Sequence, residues 1–238
     1  MNIALIGYGK MGKMIEEIAV SRGHKIVCKI DLFEKGSFDS LEFDSADVAI
    51  EFSVPNAAFD NYMKCFAHNK PVVAGTTGWL DKMGEIKKMC EGGKQTFFYA
   101  SNYSLGVNVF FEVNRHLAKI MNQYDQYAPA LAETHHIHKL DAPSGTAITL
   151  ADDVVNNIDR VEGWTLVPEL KPNYMPVSAI RRYEVPGIHT VRYDSEYDFI
   201  EITHSANTRR GFALGAVVAA EFAHDKKGFL GMQDMLKF

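Results

Sequence analysis

Apolar positions repeat at two regular spacings through the first hundred residues of the chain and at a different mixture afterwards. Asn2–Ile6 is a short apolar run closed by Gly7, which predicts a buried strand. Met11, Met14, Ile15, Ile18 and Ala19 then fall on one helical face, and Gly23 closes that helix. Further strands are predicted over 25–31, 47–52, 71–74 and 96–99. Between them lie a helix opened by Pro55, with Phe59, Met63 and Phe66 on one side, and a helix over 80–90 ended by Gly92-Gly93. The stretch from Asp31 to Asp47 is too short for a full helix plus strand, so that crossover is abbreviated. Strands alternating with helices build right-handed βαβ units and a mostly parallel sheet covered on both faces.

After about residue 105 the pattern changes. A long helix is predicted over 107–124, a strand over 130–134 that runs into a histidine cluster, and a helix over 144–158 carrying Ile148, Ala151, Val154 and Val155. From Pro176 to Ser205 strand-like segments follow one another without intervening helices, the mark of an antiparallel or mixed sheet. Residues 210–224 are helical again. No internal repeat, low-complexity tract or long linker interrupts this order.

Composition narrows the function classes. Of 238 residues, 47% are hydrophobic and 23% charged, the balance of a packed domain rather than a disordered chain. A formal net charge of −5 argues against general nucleic-acid binding and against attraction to acidic membranes. It leaves room for a local cationic pocket. Cys28, Cys65 and Cys90 are odd in number and widely spaced, which fits reduced thiols in a cytoplasmic protein. The opening residues lack a basic leader and a cleavage site, so no signal peptide is expected. No apolar run approaches the ~18 residues of a membrane span.

Gly7-Tyr8-Gly9-Lys10-Met11-Gly12 fits G-x-G-x-x-G between the first strand and the first helix. Glycines there permit a tight turn, close backbone approach to a pyrophosphate and close helix–strand packing, while the helix N-terminus supplies free N–H groups. A glycine pattern alone is weak, but Asp31 ends the second strand at the distance expected of a ribose-binding carboxylate. The alternative, a structural turn beside a surface acid, explains less. Leu32 and Phe33 follow Asp31, so no arginine stands there for a 2′-phosphate, and NADH is expected over NADPH. Lys10 and Lys35 leave dual use open. Gly75-Thr76-Thr77-Gly78 and Ala100-Ser101-Asn102-Tyr103 follow two other strands, where ligands of open α/β sheets bind.

The densest chemistry lies between Glu133 and Thr146. His135, His136, His138 and Lys139 fall within five residues, which core packing does not explain. A metal site would need ligands at familiar spacing, which are missing, so no metal is expected. A solvated basic loop is the other plain reading. The reading that uses each residue has a histidine donating a proton, a lysine holding or protonating an anion, and Ser144-Gly145-Thr146 forming a carboxylate cradle at a helix N-terminus.

With these residues the chain resembles the 4-hydroxy-tetrahydrodipicolinate reductase (dihydrodipicolinate reductase) family. Glu133 to Ala147 looks like that family's E-x-H-H-x-x-K-x-D-A-P-S-G-T-A signature. The glycine loop, Gly75-Thr76-Thr77-Gly78, Asn102-Tyr103-Ser104, Gly106-Val107-Asn108 and Glu201-Ile202-Thr203-His204 support it. The resemblance implies an α/β fold: an N-terminal Rossmann-type doubly wound parallel sheet over 1–106 and 208–238, with an inserted α+β substrate and oligomerisation domain of mixed sheet over 107–207. It implies NAD(P)H-dependent reduction of 4-hydroxy-tetrahydrodipicolinate to tetrahydrodipicolinate with loss of water, in lysine and diaminopimelate biosynthesis. His135 would be the general acid and Lys139 a second proton donor. His136, Ser144, Gly145, Thr146 and Thr77 would hold a small dicarboxylate substrate. Gly7 to Gly12, Asp31, Gly75 to Thr77 and Ala100 to Tyr103 would hold the cofactor. The family's habit implies a homotetramer joined through the substrate domain. Two departures stand out: the crossover after Asp31 is short, and Arg181-Arg182-Tyr183-Glu184 lacks the usual R-x-G-D-like sequence, so contacts in that loop are not carried over. Two rival classes remain: another two-domain NAD(P)-dependent oxidoreductase, such as an amino-acid or semialdehyde dehydrogenase, and a non-catalytic dinucleotide sensor. The first would not need the histidine–lysine and Ser-Gly-Thr pair; the second would need no proton donors.

Overall fold

The computed structural model describes residues 1–237. The chain forms two compact units, one made of Met1–Ser104 with the stretch from Arg210 onward, the other of Leu105–Arg209.

The first unit runs β1 (Asn2–Ile6), α1 (Lys10–Ser21), β2 (Lys25–Ile30), α2 (Leu41–Asp44), β3 (Val48–Glu51), α3 (Pro55–Ala67), β4 (Val72–Ala74), α4 (Met83–Cys90) and β5 (Thr96–Tyr99). Between β2 and β3 the crossover holds only the single-turn α2, capped by the Ser40 side chain. Pro55 sits in the first turn of α3, where its missing N–H leaves no bond unmade. The strands are short and apolar, and those of β1, β3 and β4 are almost wholly buried, as expected of a sheet covered on both faces. Every pairing in the sheet is parallel, in the order β11-β5-β4-β3-β1-β2, where β11 (Gly228–Leu230) comes from the returning end of the chain. The order reverses between β1 and β3, and ligands of such sheets bind in the crevice outside the carboxyl ends at that switch.

The second unit runs α5 (Leu105–Met121), β6 (Ala128–His135), α6 (Gly145–Val155), β7 (Gly163–Leu166), β8 (Tyr174–Arg181), β9 (Ile188–Asp194) and β10 (Phe199–Ser205). Its mixed sheet has the order β10-β9-β6-β8-β7, parallel where β6, β8 and β7 meet and antiparallel where β6, β9 and β10 meet. α5 stops at Met121, short of the expected end, where Gln123 and Tyr124 tighten the chain into i→i−3 bonds and the Asn122 side chain exchanges hydrogen bonds with Asp159. α6 ends at Val155, and Asn157 turns its amide back onto the Asp153 carbonyl. Alternation along β6 buries Leu131, Glu133 and His135 on one face. Leu131 joins Val177, Val191 and the α5 and α6 residues Phe110, Leu150 and Val154 in the core.

The chain then returns to the first unit with α7 (Arg210–Ala223), β11 (Gly228–Leu230) and α8 (Met232–Leu236). β7, β11 and α8 went unforeseen; each is five residues or fewer, too short to show a period.

Candidate active site

The loops singled out in the first unit all leave one edge of its sheet, because the strands they follow run parallel. Gly7 has φ +87°, and a Cβ there would lie 2.2 Å from the Phe52 carbonyl oxygen after β3. A Cβ on Gly12 would lie 2.3 Å from the Gly7 carbonyl oxygen, while Gly9 faces open space. The loop thus has no room for side chains toward the protein and an open backbone at its middle glycine. No side chain caps α1, and its first turn carries no acidic residue, so its N–H groups and dipole suit a phosphate. Asp31 accepts hydrogen bonds from the backbone N–H of Tyr8 (2.5 Å) and of Leu32 (2.6 Å), which ties the end of β2 to the glycine loop. Tyr8 points its hydroxyl at Glu16 and Lys29, and the Lys29 ammonium pairs with Glu16 at 2.7 Å.

Beneath the neighbouring loops lies Glu51, fully buried at the end of β3. Its carboxylate accepts from the Ser53 N–H (3.1 Å), the Ser53 hydroxyl, the Thr76 hydroxyl (3.1 Å) and the Tyr62 hydroxyl (3.1 Å). Thr76 is therefore turned inward, while Thr77 beside it is exposed. Gly75 is required for a second reason: a Cβ there would fall 2.1 Å from the Phe52 ring. Tyr103, read from sequence as a cofactor contact, sends its hydroxyl into the core to the Ala74 carbonyl at 2.8 Å. Ala100 to Asn102 carry the rest of that loop.

In the second unit the histidine segment is built around Glu133. This carboxylate has no exposed surface and accepts from the Ser144 N–H with both oxygens, at 3.1 and 3.2 Å. Its Oε2 lies 3.4 Å from His135 Nδ1 and 3.6 Å from His189 Nε2, and its Oε1 3.4 Å from the Arg181 guanidinium. Burial by itself would raise the Glu133 carboxyl, but the facing His189, the Ser144 hydrogen bonds and the charge on His135 hold it at about 2. Burial pushes the His135 imidazole down to about 4 against the pull of Glu133, helped by His189, Lys139 and Arg181. The free protein therefore holds His135 neutral near pH 7.

The remaining predicted residues gather at the same end. The Lys139 ammonium donates to both Asp141 oxygens at 2.8 and 2.7 Å, and that contact holds the Asp141 carboxyl below its usual range. His136 Nε2 meets the Arg209 guanidinium at 3.0 Å. Ser144 caps α6 by accepting from the Ala147 N–H, and Gly145 faces open space. As with α1, no acidic residue stands in the first turn.

Several contributors were not read from the sequence as functional. Arg181 braces the loop by donating to the Lys139 and Asp141 carbonyls, at 3.3 and 2.6 Å. His189 meets Ser144 Oγ at 3.2 Å. Gly187 leaves a gap where a Cβ would lie 3.0 Å from His135 Nε2. Alternation held part of the signal: Glu133 and His135 continue the buried face begun by Leu131, as His189 continues that of Val191 and Tyr193. Strand pairing, which sets Glu133 against His189 and His135 against Arg181, is not written in any local stretch. Glu133, His135 and His189 bring donor atoms within 4.8 Å of one another, a spacing that could hold a cation. The Arg181 guanidinium lies 3.4 Å from the same carboxylate and competes with a cation for its charge.

A glycine loop at the carboxyl edge of a parallel sheet, and a separate unit carrying an imidazole, a lysine and an open helix start, are the parts a nucleotide-dependent oxidoreductase needs. The family descriptions "Dihydrodipicolinate reductase, N-terminus" and "Dihydrodipicolinate reductase, C-terminus" match residues 1–103 and 106–236. A 4-hydroxy-tetrahydrodipicolinate reductase of Christiangramia forsetii is 52% identical over 236 residues, 99% of this chain and 98% of its own. One of Archaeoglobus fulgidus is 33% identical over 265 residues, covering both chains entirely. The chain belongs to the dihydrodipicolinate reductase family. A dipicolinate-bound dihydrodipicolinate reductase from Paenisporosarcina sp. TG-14 shares the fold, with a TM-score of 0.76, 21% identity and 98% of each chain covered.

Proposed function

We propose that this protein reduces 4-hydroxy-tetrahydrodipicolinate to tetrahydrodipicolinate and water at the expense of NAD(P)H and a proton, within lysine and diaminopimelate biosynthesis. The observation that carries this reading is the Glu133-centred cluster, which ties a proton-bearing imidazole to an anion cradle in one buried network. The crowded, backbone-lined turn at Gly7 and Gly12 and the uncapped start of α1 fit a dinucleotide pyrophosphate. NAD(P)H supplies the hydride. Gly7, Tyr8, Gly9, Lys10, Met11 and Gly12 line the pyrophosphate, Asp31 takes the ribose hydroxyls, and Gly75, Thr77 and Ala100 to Asn102 border the nicotinamide side, with Thr76 and Tyr103 holding these loops from the core. Asp31 would repel a 2′-phosphate, which favours NADH over NADPH.

The ring carboxylates of the substrate are held by Ser144, Gly145, Thr146 and His136. Lys139, released from Asp141, balances their charge and serves as a second proton donor. His135 is the general acid. A dianionic substrate beside it raises its proton affinity above that of the free protein, so the proton arrives with the substrate.

The assembly is a homotetramer joined through the second unit's sheet. Its support is the sheet face turned away from α5 and α6, where Phe199 is exposed under the Arg192 guanidinium, 3.7 Å from the ring centroid. The location is cytoplasmic. All three cysteines are buried and free, and among the described residues no helix is long and apolar enough to cross a membrane.

The deciding experiment is NADH oxidation with the unstable substrate generated enzymatically in the same cuvette. Turnover that depends on that supply is expected. Folded protein without such turnover would return the choice to another oxidoreductase or a nucleotide sensor.

A further inference from the structure

Glu133, His135 and His189 are buried side chains of metal-ligand type that meet on one face of the second unit's sheet. No local stretch carries the trio, because His189 enters from β9, where it pairs with Glu133 of β6. Glu133 Oε2 lies 3.4 Å from His135 Nδ1 and 3.6 Å from His189 Nε2, and the three atoms fall within 4.8 Å of one another.

Both spacings are too long for good N–H···O hydrogen bonds, so neither ring is tied to the carboxylate. They suit ligands that share an ion. A tetrahedral centre with bonds of about 2.0–2.2 Å to nitrogen and oxygen sets its ligand atoms roughly 3.3–3.6 Å apart. His135 Nδ1 has no hydrogen-bond partner among the described residues, so nothing holds a hydrogen there. Its lone pair is open once the hydrogen sits on Nε2, on the side kept clear by Gly187. His189 Nδ1 is likewise without a partner and can carry that ring's hydrogen, which leaves Nε2 to bind. Ser144 Oγ, 3.2 Å from His189 Nε2, offers an oxygen for the remaining corner.

We propose that Glu133, His135 and His189 form a reversible, inhibitory site for an imidazole-seeking divalent metal, Zn²⁺ above all. Two imidazoles and one carboxylate suit zinc, whereas Mg²⁺ and Ca²⁺ take oxygen ligands. Arg181 stands against Oε1, the other oxygen, so guanidinium and ion divide one carboxylate between them. That positive neighbour keeps the site weaker than a structural zinc centre, and a chelator empties it. A ring bound through Nδ1 cannot take up a second proton, and the doubly protonated ring is the form that acts as an acid near neutrality. The ion site stands on geometry alone; its inhibitory effect rests on the reading of His135 as the general acid.

The test titrates the metal-free protein with Zn²⁺ by calorimetry and with Co²⁺ by visible absorption. One zinc per chain is expected, and Co²⁺ should give the intense spectrum of a four-coordinate ion and be displaced by Zn²⁺. His189→Leu removes a ligand and should weaken zinc binding by at least about 100-fold, the upper end of the cost of losing an outer-shell partner. His138→Gln, at an exposed imidazole against Glu184, should leave binding unchanged. The weak spectrum of a six-coordinate ion in the wild-type protein, or equal zinc affinity in His189→Leu, would overturn the site. In the coupled assay, with the supplying enzyme in excess, zinc should abolish turnover and EDTA restore it. Zinc-loaded protein that keeps full turnover would overturn the inhibitory role. Protein that binds both ions as expected but shows no turnover when metal-free would tell against the reductase reading and leave the ion site standing.

Discussion

Each unit of the protein buries one glutamate completely beside its proposed site, and the two are surrounded differently. Glu51 receives hydrogen bonds from Ser53, Thr76 and Tyr62, all neutral donors, and two of these belong to loops at the nucleotide edge. Glu133 faces Arg181, His135 and His189 as well as the Ser144 N–H. A carboxylate among neutral donors acts as a fixed anchor for backbone. A carboxylate among titratable rings decides where protons reside. The nucleotide edge is therefore made chiefly of backbone held in place, and the histidine cluster of side chains held in a protonation state.

The contrast has consequences that can be broken one at a time. The largest effect is expected at the output of the Glu133 cluster: His135→Ala should lower kcat by about 10²- to 10⁴-fold with a smaller change in KM, read in the coupled NADH-oxidation assay. Next comes the pair of glutamates. Glu133→Gln should destabilise the protein by about 3–5 kcal/mol, because it strips the counter-charge from Arg181. Glu51→Gln should cost about 1 kcal/mol, since its donors are neutral, and should raise the KM for NADH more than it lowers kcat. Urea unfolding of both variants measures this, and equal losses would erase the distinction.

A pH series sharpens the same comparison. His135 binds a proton near 6.5 when unfolded and only at about 4 when folded, so between those values the unfolded chain holds more protons. Stability should rise with pH across that window and fall by about 3 kcal/mol on acidification through it. The Glu133 carboxyl, at about 2 when folded against 4.5 as its ordinary value, adds a further loss only below about pH 4.5. His135→Gln should flatten the upper part of this profile, and an unaltered slope would mean that another group titrates there. The smallest effect is at Asp31: Asp31→Asn should shift the ratio of kcat/KM for NADPH over NADH upward about tenfold, by removing a charge facing the 2′ position. An unchanged ratio would place the discrimination elsewhere.

Much of the proposed nucleotide edge could be read locally. A strand, a glycine turn and a helix are consecutive, and Gly7, Gly9 and Gly12 do different work within six residues. The segment from Glu133 to Thr146 was equally plain as a concentration of chemistry. What could not be read there was how its members are held. Arg181 and His189 come from strands that are neighbours of β6 only through pairing. Tyr103 illustrates the reverse limit: its loop lies at the edge expected, yet its side chain serves the core.

Periodicity, turn residues and a fifteen-residue signature determined the parallel first sheet, the mixed second one and the family, because those properties depend on neighbours within a few residues. Tertiary structure alone decided which imidazole faces which carboxylate, why Thr76 turns inward and how Ser144 is oriented. Those depend on strand register and on burial. A shift of one residue in the pairing of β6 with β9 would move Glu133 and His135 to the opposite face and dissolve the cluster without altering a single side chain.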